Sequence, residues 1–129
     1  MAKLIRYNVM EEEHIGDNVF KIHRPHPFGN PYIVDKQSKF KDVIKVKTLD
    51  ECLDLYSKYF DNAIVEIPTV KDEWERLINA YDTFDVVYIG CYCHLDKKCH
   101  GDVIIKKVKQ YAIKRALHNM IKENGKRCD

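Results

Sequence analysis

The apolar positions change their spacing several times along the chain, and each change marks an element. Lys3 to Val9 is a short β-rich run, and Val19, Phe20 and Ile22 form another, which predicts two strands. Between them lie three acidic residues, Glu11, Glu12 and Glu13, and a turn at Gly16, Asp17 and Asn18. The stretch HRPHPFGNPYIV holds prolines at 25, 27 and 31, which forbid regular helix or central strand. It predicts an ordered loop that ends in an extended piece, Tyr32 to Val34.

Helical spacing begins at Thr48. Thr48 and Glu51 fit a capping box, and Leu49, Cys52, Leu53, Tyr56 and Phe60 form one apolar stripe, predicting a helix over about 48–60. Ile64 to Ile67 reads as a short extended connection before Pro68. Thr69 can cap a second helix over about 70–81, with Val70, Trp74, Leu77, Ile78 and Tyr81 turned inward. Phe84 to Gly90 is a continuous β-rich run, the pattern of a strand buried on both faces. The longest helix is expected from about Asp102 to Glu123, with Gly125 placed to end it. Helices interleaved with strands imply an α/β fold of two or three layers: a mixed sheet packed by about three helices, as a single domain over 1–125 with a frayed tail at 126–129.

Composition narrows the class without changing the fold. The 129 residues suffice for one core without staples, and 45% hydrophobic with 33% charged is an ordinary globular balance. A net charge of +2 from 22 basic and 20 acidic interspersed residues gives nucleic acid no support. Lys106, Lys107, Lys109, Lys114 and Arg115 on the last helix read as a solvated face, since no aromatics interleave with them. The N-terminus has no apolar signal-like core, and no run approaches the ~18 residues of a membrane span. Three of the five cysteines fall within nine positions, a pattern that suits a cytoplasmic thiol or metal cluster better than a secreted disulfide framework.

That cluster lies in VVYIGCYCHLDKKCHGDV, Val86 to Val103. Cys91 and Cys93 are two apart at a strand end, so their sulfurs would project to one side; with Cys99 and His100 they would complete a Cys₃His set for zinc. The same residues support a second reading. Cys99 stands at a helix start, where free N–H groups and the dipole favour a thiolate or a bound phosphate. Gly101 would allow close approach, His100 would serve as acid or base, and the Asp102 carboxylate would compete for the same donors. In a third reading Cys91 only packs and Asp102 is only an N-cap. Cys52 reads as core, and Cys128 as exposed. In the proline loop, His23, Arg24 and His26 would set cationic or proton-shuttling groups on a rigid backbone, with Asn30 supplying an amide; alternatively the prolines merely shape a turn.

Two of these stretches together, RPHPFGNPY (Arg24 to Tyr32) and GCYCHLDKKCHGDV (Gly90 to Val103), resemble the paired signatures of the DUF4326 family, small proteins of bacteria and their phages. In that family's pattern a strand ends in an Arg-Pro-x-Pro-x-Gly-Asn-Pro-aromatic loop, and a later strand in Cys-Trp-Cys, a short loop and Cys-His-Gly-Asp. Arg24, Gly29, Asn30 and Pro31 match the first; Cys91, Cys93, Cys99, His100, Gly101 and Asp102 match the second. His23 stands where glycine is common, Tyr92 replaces the tryptophan, and the loop His94 to Lys98 is one residue longer. The resemblance implies a site and no reaction. One expectation is a cytoplasmic protein that binds or acts on a nucleotide-like anionic small molecule. Arg24 would hold the anion with Gly29 and Gly101, Asn30 would orient it, Cys99 or His100 would act chemically, and Asp102 would fix the histidine or the helix start. The other is a zinc-stabilised module for a protein partner, such as a phage protein that engages its host, with Cys91, Cys93, Cys99 and His100 as ligands.

Overall fold

The computed structural model describes residues 2–23, 26–34, 44–92, 95 and 97–127. Arg24, Cys93 and Cys128 lie outside them. Strands β1 (Lys3–Asn8), β2 (Val19–Lys21), β3 (Tyr32–Val34) and β4 (Ile44–Val46) are followed by helices α1 (Leu49–Glu66) and α2 (Pro68–Thr83), strand β5 (Val86–Cys91) and helix α3 (His100–Arg127). β5 is the centre of a three-stranded sheet of order β1-β5-β2, while β3 pairs with β4. All the described pairings are parallel, where a mixed sheet was expected. The register places Tyr7, Gly90 and Lys21 in one row and Arg6, Ile89 and Phe20 in the next.

Side-chain alternation then sorts the sheet's two faces. Leu4, Phe20, Ile22, Val87, Ile89 and Cys91 point to one side and join the core, together with Tyr56, Phe60 and Ala63 of α1, Leu77, Ala80 and Tyr81 of α2, and Ile104, Val108 and Ala112 of α3. Val86 and Tyr88 alternate to the other side and are only partly buried. The expectation of a strand buried on both faces is therefore corrected: all three helices supply the core on one face, and a continuous apolar run does not distinguish that arrangement.

The helix boundaries moved for local reasons. The Thr48 hydroxyl accepts from the Glu51 N–H at 3.1 Å, and the Glu51 carboxylate accepts from the Lys47 N–H at 3.3 Å, so the predicted cap is in place. α1 continues past Phe60 to Glu66, because Ala63 extends the buried stripe of Cys52, Tyr56 and Phe60 by one turn. Ile67 ends α1 and caps α2, with Pro68 at the first helical position, so Thr69 is not the cap. Proline suits that position because its fixed φ is helical and its missing N–H has no partner there anyway. α3 starts two residues earlier than expected and passes through Gly125, a residue that weakens a helix interior without forbidding it.

Because β1, β2 and β5 run the same way, Asn8, Lys21 and Cys91 end at one edge of the sheet, and both motif loops leave from that edge. Open parallel sheets bind ligands outside this carboxyl edge.

Candidate functional site

Cys99 precedes the first residue of α3 and occupies its capping position. Its sulfur accepts from the Gly101 N–H at 3.4 Å, and the Asp102 carboxylate reaches back to accept from the Cys99 N–H at 3.0 Å. This is a capping box with a sulfur in place of the usual hydroxyl. Asp102 thus fixes the helix start from the third helical position rather than as the N-cap. Gly101 serves packing: a Cβ there would lie 3.1 Å from Arg6 Cδ and 3.2 Å from Ile22 Cδ1. The glycine lets α3 approach the sheet, and its N–H is already engaged by sulfur.

His100 is oriented from both ends of its ring. Nε2 lies 2.9 Å from the Ile22 carbonyl oxygen, to which it donates, which leaves Nδ1 as the basic nitrogen of the neutral ring. Nδ1 faces the Cys99 sulfur at 3.6 Å. The edge of the Tyr56 ring packs against His100 with centroids 5.2 Å apart, and the Tyr56 hydroxyl donates to the Phe28 carbonyl at 2.7 Å. Burial holds the Tyr56 phenol well above its ordinary pKa, with Tyr59 and Cys99 adding to the rise.

The residue that ties this end together is Arg6. Its guanidinium pairs with Asp102 at 3.2 Å and donates to the carbonyls of Leu95 and Lys97 at 2.9 and 2.8 Å, while the side chain is only 8% exposed. It also donates toward the Cys91 sulfur at 3.9 Å and hydrogen-bonds the Cys99 sulfur. Burial by itself would lower the Arg6 pKa; Asp102 and the two sulfurs more than offset it, and the value is raised. No motif flags Arg6, but a signal exists: it sits on the same strand face as Leu4, where a charge must find partners.

The proline loop packs against the same group of residues. The His26 carbonyl and Gly29 N–H close a turn at 2.7 Å, and Gly29 keeps an ordinary negative φ. Asn30 is buried; its amide oxygen accepts from the Tyr32 N–H at 2.9 Å and its NH₂ donates to Cys52 at 3.3 Å. His26 Nδ1 accepts from the Phe28 N–H at 3.0 Å and Nε2 meets Glu73 at 2.8 Å; burial lowers the His26 pKa, with Glu73 opposing. The two motifs are linked through three neighbours: His23, just before the first, packs on Tyr92 with centroids 4.5 Å apart, Ile22 holds His100, and Tyr56 of α1 joins His100 to Phe28. Arg24, the expected anion ligand, lies outside the described residues.

The zinc reading needs Cys91, Cys93, Cys99 and His100 to converge. Among the described residues no three His, Cys, Asp or Glu side chains are grouped to hold a metal, and Cys93 lies outside them. The Arg6 cation contacts the Cys91 and Cys99 sulfurs, so as arranged these two are engaged by a cation of the chain itself. Among the described residues no helix is long and apolar enough to cross a membrane.

A family model described as "Domain of unknown function (DUF4326)" matches residues 5–110. No curated protein and no solved structure matches.

Proposed function

This chain belongs to the DUF4326 family, and from that premise we propose that it binds, and acts through Cys99 on, a nucleotide-like anionic small molecule at the carboxyl edge of its sheet. The observation that carries the reading is the arrangement of the dyad. His100 donates from Nε2 to Ile22 and presents Nδ1 to the Cys99 thiol, so the thiol proton has an acceptor and the sulfur becomes a nucleophile. The Arg6 guanidinium, the Gly101 N–H and the positive end of α3 favour the anionic sulfur. Asp102 holds Arg6 and the Cys99 N–H in place and so acts as a positioning residue.

In this reading Arg24 supplies the charge that recognises the anion, and the turn closed by Gly29 shapes the loop that carries it. Asn30 supports that loop through Tyr32 and Cys52. Calorimetry against a panel of nucleotides and nucleotide sugars tests the proposal. Wild type should bind at least one of them, Arg24→Ala should weaken that binding by about tenfold or more, and Cys99→Ser, which keeps a capping oxygen, should bind without turnover. No binding to any of them, or binding indifferent to Arg24→Ala, sinks the reading.

A second reading, a zinc-stabilised module for a protein partner, draws on one observation: the Cys91 and Cys99 sulfurs reach the same guanidinium and therefore lie near each other. It would require Arg6 to withdraw. Elemental analysis of reduced, chelator-free protein separates the two, since stoichiometric zinc favours the module and a metal-free folded chain favours the dyad.

A further inference from the structure

α3 is longer than the sheet needs. At about 1.5 Å per residue its 28 residues span about 42 Å, against about 20 Å for the six-residue strands. Ile104, Val108 and Ala112 fasten its first half to the core. Beyond them Arg115 pairs with Asp82 at 2.7 Å, just before β5 begins, so the distal half lies at the amino end of the sheet. There Ile113, Leu117, Met120 and Ile121 form an apolar stripe that is 54 to 70% exposed. At about 100° per residue the stripe falls on the side of the helix roughly opposite Ile104, Val108 and Ala112. It is a second apolar face, and it begins after the family match ends at residue 110. Lys109 and Lys114 edge it, and neither makes an ion pair among the described residues.

The opposite pole of the molecule carries the complement. Met10 and Ile15 are 76% and 85% exposed, and between them stand Glu11, Glu12 and Glu13, which line an open cleft with Val9 and Lys21. This segment follows the carboxyl end of β1, so it cannot reach the distal half of its own α3.

We propose that the acidic Met10–Ile15 segment of one copy docks on the basic-edged stripe of α3 in a second copy, a head-to-tail contact that builds rings or short chains. The α3 stripe is apolar with lysines at its edge, the Met10–Ile15 segment sets three carboxylates between two exposed apolar residues, and this opposite charge beside apolar surface selects a second copy over other occupants. A like-with-like pairing of two α3 stripes would set lysines against lysines. The patches are small beside a standard interface, so the association is weak and salt-sensitive.

Sedimentation velocity on the full chain from about 10 µM to about 1 mM, at low and high salt, tests it. Wild type should shift to larger species with concentration, less so at high salt. Leu117→Glu should stay monomeric, as should Glu11→Lys/Glu13→Lys and Lys109→Glu/Lys114→Glu. The two charge-reversed proteins mixed one to one should associate again. All of these positions are exposed, so circular dichroism should show unchanged folds. A monomer at every concentration overturns the proposal. So does self-association that survives Glu11→Lys/Glu13→Lys, which would mean α3 pairs with α3, or a monomer that instead binds vesicles of anionic phospholipid through Leu117.

Discussion

Tyr7 and Gly90 show how closely single residues are fitted here. They are register partners, and a Cβ on Gly90 would lie 2.7–2.8 Å from the Tyr7 ring and hydroxyl. Gly90→Ala should therefore destabilise by about 1–3 kcal/mol in chemical denaturation, and adding Tyr7→Ala should recover part of that loss. The Tyr7 hydroxyl is buried with no hydrogen-bond partner among the described residues. Tyr7→Phe should thus be neutral or stabilising, by up to about 1–3 kcal/mol. His26 gives the pH dependence. It is neutral in the fold, with Nδ1 accepting from Phe28, and its pKa is lowered chiefly by burial. As pH falls below the ordinary histidine value of about 6.5 the unfolded chain takes up the proton first, so the contribution is complete above that value and is lost as pH drops through the lowered one. The melting temperature of wild type should fall more steeply between about pH 7 and 5 than that of His26→Asn. The Cys-His-Gly-Asp cluster was legible as a candidate site from residue type and spacing alone. Arg6 was not, because its partners lie far along the sequence, from Cys91 to Asp102, and converge only through the register of β1 on β5.

The helices were read from their stripes, and the errors fall at their ends. α1 and α2 were expected as separate helices with an extended link, whereas Ile67 serves as the last cap of one and the first of the next. A break one residue long is invisible to periodicity; Pro68 at a first helical position was the available signal. Thr48→Ala should destabilise by about 1 kcal/mol, since it removes the Glu51 N–H acceptor, whereas Thr69→Ala should change the unfolding midpoint little. β4 escaped notice because three residues, Ile44–Val46, carry too short a pattern. β5 was placed correctly but given the wrong surroundings, since helices on both faces and helices on one face leave the same apolar run.

At the scale of the molecule, one property organises the rest: parallel strands bring the ends of β1, β2 and β5 to a single edge, and the two motif loops meet there around His100 and Tyr56. Sequence could name both loops and the residues in them. It could not show that they meet, because the link runs through Ile22 and Tyr56, residues that neither signature includes. The proposed function requires that this edge hold a reactive thiol, Cys99, with His100 as its base. Its most direct measurement is the pH-dependent rate of alkylation of each cysteine by iodoacetamide, followed by peptide mass spectrometry in wild type and His100→Gln. Cys99 should be modified faster than Cys52 and Cys91, and about tenfold or more slowly once His100 is replaced. Cys99 reacting no faster than Cys128, and unchanged by His100→Gln, would contradict it.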